Sequence, residues 1–461
     1  MMTKFTSACS NTMPDNNDKE RDESREKAVP SGRLARLSRF GALATTVAGS
    51  VVKNGTKQLA QGKRPKLSEL LLTPKNALRV ANQLAQLRGA AMKLGQLLSM
   101  DAGDFLPKEL AEILAKLRSD AHHMPRAQLL DMLRRELGTD WESKFSRFDL
   151  NPVAAASIGQ VHRAVTPDGH AVAVKIQYPG VRESIDSDID NVASILKFTG
   201  LVPDSLDLAP ILAEAKRQLH DEANYLREAD CMAHFHAALR GRDGLVVPAP
   251  HKALCTSRVL VMDYVEGTAI EDLATAPQAV RDAVMTRLFE LMFEELFVIK
   301  AMQTDPNFAN YRYQAAAGRV VLLDFGATRH FQDSWVQCYH DIQSAALAGS
   351  RDGLDRAARA VSYFDDNTLP HHRELVLDLM TLCCVPLCTD GPFRFGQTDL
   401  AERIRDKGLA LAEDRKFWHA PPMDSIFLHR KLGGIFLLAA RLKANVDVRK
   451  SLQTALARTP G

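Results

Sequence analysis

Asp305 and Asn310 stand five residues apart in QTDPNFANY, and Asp324 opens an Asp-Phe-Gly behind the apolar run Val320 to Leu323. An acid, an amide and a second acid at this spacing form a metal-and-base set for phosphoryl transfer. Asp305 would accept or orient the nucleophile's proton, and Asn310 with Asp324 would hold Mg²⁺ on nucleotide phosphates. Each residue alone is ordinary. Their joint spacing directs attention to the rest of the chain for the missing parts.

A lysine is the first of these. The stretch NPVAAASIGQVHRAVTPDGHAVAVKIQYP reads as strand, small-residue turn, strand, a Pro-Asp-Gly turn and strand. Lys175 ends the alternating run VAVK, where a kinase-like site keeps the lysine for the α- and β-phosphates, steered by a helix glutamate. A helix expected over 208–239 offers Glu222, Asn224 and Glu228. On one continuous helix Asn224 and Glu228 share a face while Glu222 points elsewhere. Glu228 is therefore the first choice for the Lys175 partner, with Glu222 left open.

The turn that would cover the phosphates departs from G-x-G-x-x-G. Ala154, Ala155, Ala156 and Ser157 occupy it, and the first glycine is Gly159, so the loop is stiffer. VVPAPH and RVLVMDYVEG read as two strands, the second ending at Val265, Glu266 and Gly267, where adenine would meet backbone groups between two lobes. No GxxxxGK[ST] loop exists, which rejects a P-loop enzyme. In ESIDSDIDN a calcium loop fails, because Asn191 replaces the sixth-position glycine and Lys197 the twelfth-position glutamate; the stretch reads as an exposed helix start.

The elements that must position these residues follow from composition and pattern. The 461 residues are 46% hydrophobic and 25% charged, and their net charge of +3 gives no argument for nucleic acid as a partner. Residues 1–32 are polar and read as a disordered tail. Between Arg33 and Lys66 eight basic residues occur with no acidic one, beside the apolar run 41–52. Residues 33–72 fit a basic segment on an anionic membrane surface, and equally a solvated linker with one helix.

Residues 73–140 read as a helical extension, with helices over 73–100, 107–119 and 125–137. Lys93 and Gln96 share one face of the first. A sheet-bearing lobe over 141–266 and a helical lobe over 267–461 complete the expected layout, the latter helical from Gly267 to the loop of Asp305 and again beyond Gly326. His122-His123 and His371-His372 read as surface pairs in loops. Seven cysteines without CxxC spacing read as reduced, with Cys383, Cys384 and Cys388 as buried thiols. No 18-residue apolar run and no secretory signal is visible, so the expectation is a cytoplasmic protein, peripheral on the inner membrane where it attaches.

Taken together, Lys93-Leu94-Gly95-Gln96, AAASIGQVHRA, VAVKIQYPGV, QTDPNFAN, LLDFG and the late HRKLGGIFLLAARL resemble the UbiB (AarF-domain) family of atypical protein-kinase-like proteins. The likeness runs over about 75–445. It implies an α+β, two-lobed, mostly helical protein-kinase-like fold, with a small antiparallel sheet in the N-lobe and an added N-terminal helical extension. It also implies that Lys93 and Gln96 line the nucleotide cleft and keep protein substrates out, and that the alanine loop alters nucleotide preference. The family's Glu-x-Asp is here Glu222-Ala223-Asn224, one carboxylate short.

The cofactors so implied are ATP (or ADP) and Mg²⁺. The partners implied are a nucleotide, anionic lipid or quinone intermediates, quinone-biosynthesis proteins and a second copy in a homodimer. The leading function is an atypical kinase or ATPase supporting ubiquinone biosynthesis, its phosphoryl acceptor unknown. A silent pseudokinase scaffold and a small-molecule kinase are the alternatives; the Lys93 helix speaks against the latter, and no Ala-Pro-Glu follows DFG to build a protein-substrate platform.

Overall fold

The structure is a computed structural model that describes residues 124–198, 209–413 and 422–458. The tail, the basic segment, the helices expected before residue 124 and with them Lys93, Gln96 and His122-His123 lie outside the described residues.

Helix α1 (Arg126–Leu137) leads into a sheet of five strands, β1 (Arg147–Phe148), β2 (Ala154–Ala155), β3 (Gly159–Val165), β4 (Ala171–Gln177) and, later in the chain, β6 (Val259–Asp263). All its pairings are antiparallel. The period of two in β4 sorts its side chains. Val172, Val174 and Ile176 are fully buried in a cluster with Leu129 and Leu133 of α1. Ala173 belongs to the cluster on the other face, and Lys175 follows it there.

Gly159 is required by close approach: a Cβ there would lie 2.9 Å from the Tyr225 hydroxyl and press into the Ile176 carbonyl. The rest of GQVH is structural. Gln160 Oε1 accepts from Met124 N at 2.8 Å, and His162, fully buried, donates from Nδ1 to Asp149 O at 2.9 Å. The Nε2 of that tautomer accepts from Gln160 Nε2 at 2.8 Å.

Three helices cover the inner face: α2 (Val181–Phe198), α3 (Ala209–Glu222) and α4 (Tyr225–Ala238). The stretch ESIDSDIDN begins in the first turn of α2 with Glu183, Asp186 and Asp190 exposed, and its other face is buried. Ile185 and Ile189 are buried there, and Ser184 Oγ donates to a largely buried Asp188 at 2.8 Å. The single helix expected over 208–239 is two helices. Asn224 has extended backbone and caps α4, its Oδ1 accepting from Arg227 N. The groups freed by the break find partners: Tyr225 N donates to Ser257 O at 3.1 Å, and Gln177 Nε2 donates to Ala223 O at 3.1 Å.

Strand β5 (Leu245–Val246) leaves this lobe. It runs parallel to β10 (Arg319–Leu322), which pairs with β9 (Tyr311–Gln314), and β9 with β7 (Thr268–Ala269). The second lobe is thus not helical throughout: it holds this four-stranded sheet, the ribbon of β8 (Ala301–Gln303) with β11 (Thr328–His330), and the pair β12 (Phe393–Arg394) with β13 (Asn445–Val446). Around them pack α5 (Gln278–Glu294), α6 (Asp333–Leu347), α7 (Arg351–Ala360), α8 (Pro370–Cys383), the single turn α9 (Val385–Cys388), α10 (Leu400–Glu413), α11 (Met423–Arg441) and α12 (Val448–Leu456).

A sheet lobe joined to a mostly helical lobe is the two-lobed, protein-kinase-like arrangement. Two burial readings change within it. His371 and His372 sit on α8 rather than in a loop, and His372 is buried. Cys388 is exposed, not buried.

Candidate functional site

Lys175 and Glu228 meet across the two layers of the sheet lobe. The Lys175 ammonium donates to both Glu228 oxygens, at 2.8 and 2.9 Å, and also lies 4.9 Å from the centre of the Tyr225 ring. The side chains are 12% and 1% exposed, so the pair is nearly dry. Burial alone would lower the lysine's affinity for its proton, but the Glu228 and Asp324 carboxylates outweigh it and hold the ammonium firmly charged. Burial pushes the Glu228 carboxyl upward, with Lys175 pulling it back.

Asp324 therefore belongs to the same cluster. Its Oδ1 accepts from Gly326 N at 2.9 Å, which folds the Asp-Phe-Gly turn. A Cβ at Gly326 would lie 3.4 Å from Asp324 Oδ1 and 3.6 Å from both Glu222 Cγ and Glu228 Oε2. Those distances place three carboxylates around one turn. They also correct the reading of Glu222: the break at Asn224 swings the end of α3 onto the turn, where a continuous helix would have carried it away.

Helix α4 holds the turn at three points. Arg227 donates to Gly326 O at 3.0 Å and Thr328 O at 2.7 Å, and the Phe235 ring packs tilted against Phe325 at 5.0 Å between centroids. Arg227 and Phe235 carry no motif signature, so sequence reasoning passed over them.

The loop of Asp305 is joined to the same turn. Thr304 Oγ1 donates to Ala327 O at 2.8 Å, and Leu323 N donates to Asn310 O at 3.0 Å. The Asn310 side chain, 9% exposed, donates from Nδ2 to Asp305 Oδ2 at 3.0 Å. This leaves the amide oxygen of Asn310 and one oxygen of Asp324 for a hard cation. Two such donors suit Mg²⁺, which keeps waters and shares phosphate oxygens rather than demanding a full protein cage. Among the described residues no group of three or more carboxylate, imidazole or thiol side chains could cage a metal by itself.

The alanine turn is partly strand. Ala154 and Ala155 pair with β3 and Ala156 N donates to Gly159 O at 2.8 Å, leaving Ser157 exposed at the bend. Strand β6 stops at Asp263, so Val265 is a half-buried residue of the crossing rather than of a strand.

Beneath the Asp305 loop lies α11. Lys431, 2% exposed, forms an ion pair with Glu295 at 3.1 Å and donates to Gln303 O at 2.8 Å and Tyr311 Oη at 3.1 Å. Glu295 comes from the π-helical turn Glu295–Ile299 that ends α5. One residue before Lys431, Arg430 Nη2 donates to Asp305 Oδ1 at 2.9 Å. The motif HRKLGG showed these residues, but not where they lie.

Comparison with known proteins shows the family. The model for the ABC1 atypical kinase-like domain matches residues 116–357, more than half the chain. The chain belongs to this family of UbiB/AarF atypical kinases. It is 37% identical over 436 residues to the mitochondrial atypical kinase COQ8 of Saccharomyces cerevisiae, covering 94% of this chain and 86% of that one. It is also 37% identical over 434 residues to the mitochondrial atypical kinase COQ8B of Rattus norvegicus, covering 94% and 82%. Among solved structures, Rv3197 of Mycobacterium tuberculosis in complex with erythromycin aligns with a TM-score of 0.58 at 23% identity, over 83% of this chain and 96% of that one. That likeness speaks for the fold alone. Among the described residues no helix is long and apolar enough to cross a membrane.

Proposed function

We propose that this protein is an ATP- and Mg²⁺-dependent atypical kinase or ATPase that supports ubiquinone biosynthesis. The observation that carries the catalytic half is the convergence of Lys175, Glu228 and Asp324 with the Asp305–Asn310 pair on one Asp-Phe-Gly turn. The quinone half is supported by kinship with the COQ8 atypical kinases.

In this reading Lys175 takes the α- and β-phosphates while Glu228 keeps its ammonium in place. Ala154 to Ser157 cover the phosphates, Val265 lines the adenine crossing, and Lys93 with Gln96 are cleft-lining as the family resemblance implies. Asn310 and Asp324 hold Mg²⁺, which when bound neutralises charge on the phosphate oxygens. Asp305 receives the proton of the attacking hydroxyl or water. The missing Ala-Pro-Glu platform after DFG and the stiff alanine turn speak against ordinary protein phosphorylation, and the acceptor is left open between water and another group. Attachment to anionic membrane through residues 33–72 would bring the site to quinone intermediates and their biosynthetic proteins.

The test is titration of the full chain with a fluorescent ATP analogue, with and without Mg²⁺. Mg²⁺-dependent binding that Asp324→Asn weakens about tenfold or more supports the reading. Equal binding by both proteins, with or without the metal, sinks it.

A further inference from the structure

Helix α11 lies beyond the residues matched by the family model, yet one turn of it grips the loop that carries Asp305. Gly434 admits Pro306 so closely that a Cβ there would collide with the proline ring and lie 3.2 Å from its Cα. Lys431 binds the Gln303 carbonyl. Arg430, one helical turn before Gly434 and on the same face, donates to the Asp305 carboxylate itself.

An aspartate's terminal torsion is broad and two-fold, so the aim of its carboxylate is set by what its oxygens meet. Here each oxygen of Asp305 has its own donor. Asn310, five residues away, takes Oδ2, while Arg430, 125 residues away, takes Oδ1. The Arg430 and Asp305 side chains are 6% and 20% exposed, so this charge-assisted bond is made largely out of water, where it is strongest. Between Asp305 and Asn310 the loop reads Pro-Asn-Phe-Ala and supplies no positive charge of its own. The cation beside the base comes instead from a distant helix.

We infer that Arg430 is the positioning residue for Asp305 in phosphoryl transfer. This rests on the kinase or ATPase reading above and adds to it the element that aims the base. Each carboxylate oxygen keeps a second lone pair when it accepts one hydrogen bond, so the clamp leaves room for the nucleophile's proton. In the step itself a hydroxyl or water oxygen bonds to the γ-phosphorus, the bond to the β-phosphate oxygen breaks, and ADP leaves. The proton goes to Asp305, and Arg430 neither gives nor takes one. Its guanidinium holds the carboxylate's direction and places positive charge beside developing negative charge.

The experiment compares the full-length wild type with Arg430→Ala and Arg430→Lys. It measures phosphate release from Mg-ATP, affinity for a fluorescent ATP analogue, thermal unfolding, and rescue by millimolar guanidinium chloride. For Arg430→Ala, kcat is expected to fall about 10- to 100-fold with nucleotide affinity within about twofold of wild type, as befits loss of orientation rather than of binding. Added guanidinium should restore several-fold of the loss, and Arg430→Lys should retain more activity than the alanine variant. Should Arg430→Ala fail to fold, Arg430→Gln carries the same readouts.

An active wild type with a variant at equal or higher rate overturns the inference alone. So does a slow variant that guanidinium does not rescue and whose unfolding temperature and nucleotide affinity have both dropped. A wild type that binds Mg-ATP but never turns it over overturns the phosphoryl-transfer reading, and the role of Arg430 with it.

Discussion

Lys175 sits between two carboxylates in a nearly dry layer, and the consequences of that placement are measurable. Lys175→Met leaves Glu228 buried without its partner, which should cost about 3–5 kcal/mol in urea unfolding. The double variant Lys175→Met/Glu228→Leu should recover much of that, because two apolar groups need no mutual satisfaction. A double variant no more stable than the single one would show that the pair is not coupled as described.

Lys175, Asp305, Asn310 and Asp324 were legible because each ends or follows a short pattern: an alternating strand, an apolar run, a fixed local spacing. Glu222 was misread because Ala223-Asn224 contains neither glycine nor proline. The cap that breaks the helix depends on Asn224 reaching Arg227 N and on Ser257 and Gln177 receiving the freed groups. Arg430 was not assigned to the site because its partner is 125 residues away, and no local periodicity carries that distance.

At the scale of elements, α11 contacts both the Asp305 loop and the strand after DFG. Gly434→Ala must force it off Pro306, so a loss of about 1–3 kcal/mol from overpacking is expected, together with slower ATP turnover. Thermal unfolding and phosphate release on the same preparation check both, and an unchanged rate would mean that α11 does not set the loop.

The other end of α11 is tied through Arg329, which bonds Asp424 at 2.7 Å and Glu214 of α3 at 2.8 Å. Burial raises the proton affinity of Glu214, but hydrogen bonds from Arg217 and Gln218 and the charges of Arg217 and Arg329 prevail, leaving it below its usual 4.5. A carboxyl depressed by folding contributes stability that is complete above 4.5 and is lost as pH falls below it. Glu214→Gln should therefore flatten the acid limb of a stability-versus-pH curve below 4.5. An identical acid limb in the two proteins would contradict the account.

A helical stretch beyond Gly326 was readable, and Asp333–Leu347 is the first helix of it. Most strands of the second lobe were not. They are two to four residues long, too short for a period of two to show, and β5 joins its sheet by parallel pairing with a distant partner.

For the whole molecule, two lobes close on a turn held by α4 from above and by the Asp305 loop, backed by α11, from below. The fold class was legible because six short motifs in fixed order resemble one family, and that resemblance implies the fold. How the chain meets a membrane was left open, since eight basic residues fit a lipid surface and a solvated linker alike. Deleting residues 1–70 should abolish flotation of the protein with anionic liposomes while leaving neutral liposomes without effect. Retained flotation would place the lipid contact elsewhere.

Phosphate release from Mg-ATP by the full-length protein and by Asp305→Asn, each with and without anionic liposomes, tests the central claim most directly. The account predicts turnover by the wild type and a loss of about a hundredfold or more in the variant at near-normal nucleotide binding. Equal turnover by the two proteins would contradict it.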